Sequence, residues 1–362
     1  MSTLRLGVIG VGHLGKEHAR ILSGLPGVQL AGVADVDAAQ AEAVAQRCGT
    51  NAFDDYRDLL QRIDAAVIAV PTCHHHAVSS DVLRRGVHAL VEKPLAATAK
   101  QAHELAALSK NHAAMLQVGH IERFNPAFEG LHGRPLTPKY ILCERLGGYT
   151  GRSTDIGVVL DLMIHDIDLV LALVSSPVSR VEALGVAVLG VPEDMASARI
   201  TFVNGCVADL RASRLSPSPS RLMQMWGPEG FARIDFARKQ LTLMQPSAAL
   251  RSHRNGEQTF DKATMATIKG DLFGRHIQLM EINGEGCDQL TAELMEFVRC
   301  VQTGERPRAG GEEGCSALVV AEQVVDAISR HSWDESGSQI GPNAFARPPA
   351  QIFRAIDSGV AA

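Results

Sequence analysis

The sequence predicts a two-part α/β protein: a doubly wound parallel sheet in the first third, then a domain of longer strands flanked by helices. Three observations carry this. Short apolar runs alternate with helical stretches as far as residue 119. A glycine cluster, Gly10-Val11-Gly12-His13-Leu14-Gly15, joins the first apolar run to the first helix. After Pro126 the regular alternation gives way to longer, less uniform strand-like segments. At 362 residues the chain exceeds what one hydrophobic core usually serves, which agrees with two domains.

Residues 4–9 read as a buried parallel strand, and the glycine cluster then opens a helix over residues 16–22. The three glycines do different things. Gly10 permits the tight turn, Gly12 lets backbone approach a pyrophosphate, and Gly15 lets helix pack close to strand. The helix N-terminus, with His13 and Leu14 beside it, presents unpaired amides to phosphate. Residues 28–33 form a second strand ending on Asp35, twenty residues past Gly15, where a carboxylate can accept both hydroxyls of an adenosine ribose. This order of strand, fingerprint, helix, strand and acid is the signature of a Rossmann domain. The acid would repel a 2′-phosphate, so NAD is favoured over NADP.

The alternation continues with helices at residues 39–47, 56–61, 79–85 and 100–110 and strands at 65–70, 88–91 and 115–119. Ligands of such sheets sit beyond the carboxyl ends of the strands. That edge gathers Pro71 to His76, Glu92 to Pro94, and His120 to Asn125. Pro71, Thr72, His75, Glu92, Lys93 and Pro94 are therefore expected to line the cofactor crevice.

Composition narrows the functional classes. Hydrophobic residues make up 46% and charged residues 21%, an ordinary globular balance. A net charge of −5 without a basic stripe argues against nucleic acid. No apolar run approaches the roughly 18 residues of a membrane span, and residues 4–9 are too short for a signal-peptide core. Seven scattered cysteines with no CxxC pair read as reduced thiols of a cytoplasmic protein. The run Cys73-His74-His75-His76 suggests a metal, but four neighbours in a short loop diverge and no distant pair completes a tetrahedral site. No metal is expected.

Two clusters point to chemistry. Lys93 follows a buried strand, and a lysine pressed against a cationic nicotinamide would have a lowered pKa and could relay a proton. In the expected second domain, a largely apolar helix beginning at Val159 carries Asp161, His165 and Asp168 on one narrow face. A carboxylate four residues from an imidazole can fix its tautomer, as an acid–base pair requires.

These features together resemble the Gfo/Idh/MocA oxidoreductases, from about Leu4 to about Ile328. The resemblance rests on the glycine cluster, on Pro71 with His75 four residues later, on Glu92-Lys93-Pro94-Leu95, on Gly119-His120-Ile121-Glu122-Arg123-Phe124-Asn125-Pro126, and on Asp161 with His165. It implies a catalytic triad of Lys93, Asp161 and His165 and a cis peptide at Lys93-Pro94. It also implies a second domain of α+β type, whose large, mostly antiparallel open sheet meets the nicotinamide and often another subunit, as in a homodimer or homotetramer. Within the family, the segment from Gly119 to Pro126 most resembles bacterial enzymes that oxidise a nucleotide-activated amino sugar, such as UDP-N-acetylglucosamine, at its 3-hydroxyl. On this reading Lys93, Asp161 and His165 bind substrate, Arg123 and Asn125 join them or reach the nicotinamide edge, and Arg152 and Arg214 are candidate phosphate contacts. The alternatives are a free polyol or aldose dehydrogenase of inositol or glucose type, and a non-catalytic dinucleotide-binding regulator.

The expected domains are residues 1–122 for the dinucleotide, 123–330 for substrate and oligomerisation, and a tail over 331–362. Within the second, strands are expected at residues 140–146, 178–189, 196–203, 206–213, 221–225, 231–235 and 240–244, with Asn204-Gly205 as a hairpin turn. Residues 251–274 look polar and irregular, and residues 288–300 and 314–329 have helical apolar spacing.

Overall fold

The computed structural model describes residues 3–149, 156–189, 192–257, 259–284 and 286–331. It forms two compact units. One runs from Met1 to Phe124 and includes Cys287–Gln323; the other comprises Asn125–Gly286 and the chain from Val324.

The first unit runs β1 (Leu4–Ile9), α1 (Gly15–Gly24), β2 (Val28–Ala34), α2 (Ala38–Cys48), β3 (Ala52–Phe53), α3 (Tyr56–Leu59), β4 (Ala65–Ile68), α4 (Thr72–Arg84), β5 (His88–Glu92), α5 (Ala99–Asn111) and β6 (Leu116–Gly119). Its six strands are all parallel, in the order β3-β2-β1-β4-β5-β6. Strand order reverses between β1 and β4, the switch point where a crevice opens beyond the carboxyl ends. The strands read as continuous apolar runs because both faces are covered: Ala65, Ala66, Val67 and Ile68 are all fully buried. The two-residue β3 is absent from the sequence expectations, being too short to show a period. Helix α4 begins at Thr72, seven residues before the expected start, so the Cys-His-His-His run lies on a helix and not in a loop.

The second unit contains α6 (Pro126–Glu129), β7 (Tyr140–Leu146), a π turn (Val159–Met163) continuing into α7 (Ile164–Val174), β8 (Val178–Val186), β9 (Met195–Phe202), β10 (Val207–Ser213), β11 (Ser220–Gly227), β12 (Gly230–Asp235), β13 (Gln240–Pro246), α8 (Ala248–Arg254), α9 (Lys262–Gly270) and β14 (Ile277–Asn283). The strands make an eight-stranded sheet in the order β14-β13-β12-β11-β7-β10-β9-β8. Every pairing is antiparallel except β7 with β10. Alternate residues of β7 are buried, Ile141, Cys143 and Arg145, which marks a sheet with one covered face. Residues 251–274 are more ordered than expected. They contribute to α8, α9 and a second π turn, and β14 follows as an edge strand that the sequence did not predict.

Two further helices, α10 (Gln289–Thr303) and α11 (Gly311–Arg330), complete the elements of the described residues. The expected second domain, residues 123–330, includes both; α10 and α11 as far as Gln323 instead group with the first unit. Leu294, Phe297 and Val298 of α10 are buried in one cluster with Leu6 and Val8 of β1, Leu22 of α1 and Val33 of β2. An apolar stripe recognisable in sequence does not say which core receives it, and here it returns to the first. The division between units falls within α11. Beyond His331, the expected tail lies outside the described residues. No helix among the described residues is long and apolar enough to cross a membrane.

Candidate active site

At the switch point the glycines have the geometry that the fingerprint predicts. Gly10 adopts φ +83°, and a Cβ there would meet the Ala69 carbonyl at 2.8 Å. A Cβ on Gly15 would lie 1.8 Å from the Gly10 carbonyl oxygen, so the first turn of α1 rests directly on the loop. Gly12 is different: nothing lies within 4 Å of its absent Cβ. His13 and Leu14 stand exposed beside it. Asp35 closes the turn from the end of β2, its Oδ2 accepting the Val11 amide at 2.8 Å and its Oδ1 the Asp37 amide at 3.0 Å. Asp37 caps α2 by accepting from Ala39 and Gln40. Open space over Gly12, an exposed helix end and a carboxylate at the second strand fit the pyrophosphate and ribose of a dinucleotide.

Helix caps separate the site from the scaffold. Helices α2, α3, α5, α6, α8, α9 and α10 each have an Asp, Thr, Asn or Ser side chain capping the N-terminus. Helices α1 and α4, which follow β1 and β4 on either side of the switch point, have none. At α4, Pro71 is exposed and Thr72 half-buried, while His75 is buried. The His75 Nδ1 lies 2.7 Å from the Pro94 carbonyl and Nε2 2.8 Å from the Val70 carbonyl. Burial lowers the His75 pKa even though both carbonyls favour the charged ring. His75 thus braces the loop after β5 against α4, a positioning role rather than an open cofactor contact. The Lys93-Pro94 peptide in that loop is cis, as the resemblance implies.

Lys93 is half-buried, and Glu92 before it points inward. The Glu92 Oε1 lies 2.8 Å from His18 Nε2, and its Oε2 accepts the Lys93 amide at 3.3 Å. Burial raises the Glu92 carboxyl, but His18 and Lys93 outweigh it and hold the group below its ordinary range. A Cβ on Gly119 would meet Glu92 Oε2 at 2.9 Å, so the glycine of β6 makes room for this carboxylate. His18 is not among the residues the sequence singles out; a histidine on the buried face of a helix carries no signal of its distant partner. Behind Glu92 lies Glu293 of α10, fully buried, its carboxyl oxygens without a hydrogen-bond partner among the described residues. Burial first, then the charges of Glu92 and Glu296, push its carboxyl well above the ordinary range.

In the second unit the chemistry-bearing helix is only partly as expected. Its first turn, Val159–Met163, is a π turn, a form often found at functional sites. Asp161 and His165 are half-buried, but Asp168 is 1% exposed and does not share their open face. Asp166, next to His165, is paired with Arg145 of β7 through Nε–Oδ2 at 3.1 Å and Nη2–Oδ1 at 2.8 Å, both side chains buried.

Three expectations need correction or qualification. Asn125, expected at the substrate, is fully buried; its Oδ1 accepts the Ala127 amide at 3.1 Å and its Nδ2 donates to the Phe236 carbonyl at 3.1 Å. It caps α6 and ties it to the second sheet. Arg214 is buried as well, donating to Asp194 at 2.7 Å and to the Ile156 carbonyl at 3.1 Å, so it is not an open phosphate contact. Arg123 is half-buried and donates to the Arg308 carbonyl. Arg152 lies outside the described residues. Of the Cys-His-His-His run, His76 pairs with Glu104 at 2.9 Å, and among the described residues no three His, Cys, Asp or Glu gather to hold a metal.

Comparison with known proteins agrees with this geometry. Residues 4–120 match an oxidoreductase family with an NAD-binding Rossmann fold, and residues 127–233 match the GFO/IDH/MocA C-terminal domain. A UDP-N-acetylglucosamine 3-dehydrogenase from Acidithiobacillus ferrooxidans is 35% identical over 91% of this chain and 98% of its own. The chain belongs to the Gfo/Idh/MocA oxidoreductases. The solved structure of that Acidithiobacillus enzyme superimposes with a TM-score of 0.80 at 34% identity, covering 91% of this chain and 98% of that one. The scyllo-inositol 2-dehydrogenase (NAD(+)) of Bacillus subtilis is 26% identical over 84% of this chain and 88% of its own. A levoglucosan dehydrogenase in complex with NADH and levoglucosan is 18% identical over 91% of this chain and 98% of its own, with TM-score 0.75, a likeness of fold alone. As a member of this family the chain is an NAD-binding oxidoreductase of the kind that acts on sugar hydroxyls, built as a Rossmann domain plus a domain with a mostly antiparallel open sheet.

Proposed function

We propose that the protein oxidises the 3-hydroxyl of a nucleotide-activated amino sugar, UDP-N-acetylglucosamine or a near analogue, with NAD as hydride acceptor. One observation carries the substrate: end-to-end similarity at 35% identity to an enzyme with that activity, against 26% for the scyllo-inositol enzyme and matches over half of this chain or less for the inositol 2-dehydrogenases. The proposed setting is the cytoplasm, with the enzyme as a homodimer or homotetramer.

Gly10, Gly12, His13, Leu14 and Gly15 would hold the pyrophosphate, Asp35 the ribose, and Pro71, Thr72 and the loop from Glu92 to Pro94 the rest of the dinucleotide. Bound there, NAD supplies the hydride acceptor. An imidazole nitrogen of His165 removes the proton of the sugar hydroxyl as the C–H hydride departs, and Asp161 fixes the ring's tautomer. The Lys93 Nζ holds the same hydroxyl and can relay the proton. His75, Glu92 and His18 keep the Lys93 loop in place. Arg123 is retained as a candidate substrate contact; Asn125 is not.

The test is to supply NAD with a panel of UDP-sugars, inositols and aldoses and to follow NADH formation. Turnover confined to UDP-N-acetylglucosamine and close analogues is expected; turnover on inositols alone would overturn the substrate reading. In the same assay, NAD should bind better than NADP, and Asp35→Ala should narrow the gap. Equal dissociation constants in the unmutated protein would remove Asp35 as the discriminating residue.

A further inference from the structure

We propose that Glu193 is a positioning residue for the helix that carries Asp161 and His165, acting as an N-cap delivered from a distant part of the chain. The inference rests on the assignment of His165 as the base. Val158, at the cap position of the π turn, offers no side-chain hydrogen bond. Glu193 supplies the missing cap twice over. Its backbone carbonyl accepts the Val158 amide at 3.0 Å, and its Oε1 accepts the Val159 amide at 3.0 Å. Helix ends leave their first amides unsatisfied, and a carboxylate there also suits the helix dipole.

The surroundings are shaped around this contact. A Cβ on Gly157 would lie 2.0 Å from Glu193 Oε1, so only glycine leaves room for the carboxylate. Arg214, directly after β10, holds the Glu193–Asp194 segment: its Nε donates to Asp194 Oδ1 at 2.7 Å and its Nη2 to the Glu193 carbonyl at 3.4 Å. The Asp194 Oδ2 in turn accepts the Val188 and Leu189 amides, each at 2.7 Å. At the other end of the active turn, the Arg145–Asp166 pair fastens the residue after His165 to β7. Asp161 and His165 therefore lie between two attachments, one to the segment that leads into β9 and one to β7, and Glu193 is the one nearer Asp161. Burial raises the Glu193 carboxyl, and glutamine, which keeps an acceptor oxygen for the Val159 amide, should serve.

The experiment compares Glu193→Ala, Glu193→Gln, His165→Ala and the double variant Glu193→Ala/His165→Ala, with UDP-N-acetylglucosamine and NAD as substrates. Glu193→Ala should lower kcat about 10- to 100-fold, the loss expected when a reacting group is displaced by about 1 Å. NAD affinity should be unchanged, and Glu193→Gln should recover most of the rate. In the His165→Ala background the loss should vanish, because Glu193 acts through that helix; a merely architectural residue would cost the same in both backgrounds. Independently of activity, amide hydrogen exchange over residues 158–165 should quicken in Glu193→Ala and not over α10. If alanine prevents folding, Glu193→Met, of similar length but without the acceptor, replaces it. A folded Glu193→Ala enzyme with normal kcat and unchanged exchange, beside an inactive His165→Ala, overturns the cap alone. A fully active His165→Ala overturns the base assignment, and the cap's catalytic role with it.

Discussion

Helix α1 and the helix that begins at Val159 both start near proposed chemistry, yet they are set in place by different means. At α1 the turn itself is made within a few residues: Gly10 turns, Gly15 rests on the Gly10 carbonyl, and Gly12 leaves space, while Asp35 reaches in from the end of β2 to hold the Val11 amide. At Val159 the positioning groups come from elsewhere, Glu193 at 34 residues' distance and the Arg145–Asp166 pair at 21. Phosphate binding can be built from backbone amides and so from local sequence. A side-chain base must be held in one orientation, and only packing against other elements holds it.

Four experiments break or sharpen this contrast. The largest effect should come from His165→Ala, lowering turnover about 10²- to 10⁴-fold with NAD affinity nearly unchanged, since the residue belongs to the second unit. Near-normal turnover, measured where chemistry limits the rate, would remove His165 as base. Next is Arg145→Ala, which removes the guanidinium from the buried Asp166 side chain; loss of one partner of such a pair typically costs about 3–5 kcal/mol. Denaturant unfolding monitored in the second unit should show it, and an unchanged midpoint would mean that the pair does not hold the helix.

The third compares two glycines. Gly15→Ala forces a Cβ against backbone and should destabilise the first unit by about 1–3 kcal/mol, as overpacking does. Gly12→Ala meets nothing within 4 Å, so the melting temperature should hold while NAD binding weakens. Equal melting losses in both would mean that Gly12 serves the fold and not a ligand.

The smallest effect concerns Glu293. Its raised pKa means that the folded protein keeps a proton that the unfolded chain releases above about pH 4.3. That group's contribution is complete below the unfolded pKa and is lost as pH rises through the folded value. Glu293→Gln should therefore gain on the native protein toward neutral pH, with melting temperatures separating by a few degrees. Parallel melting curves from pH 4 to 8 would show Glu293 to be ionised or solvated.

The alternating pattern, the glycine turn and the strand-end loops were legible because each is a local matter of period, φ angle or the exit from a strand. The sequence by itself therefore determined the parallel first sheet, the place where a dinucleotide binds, and most strands of the second sheet to within a few residues. It also brought Lys93 to a strand end and set Asp161 and His165 one turn apart. Tertiary structure alone decided that α10 returns to the first core, that Asn125 and Arg214 are buried structural groups, that Glu92 meets His18 across 74 residues, and that Glu193 caps the Val159 helix. The physical reason is the same in each case. A hydrogen bond or apolar contact between distant segments depends on how whole elements pack, and the residues that make it look no different in sequence from those facing water.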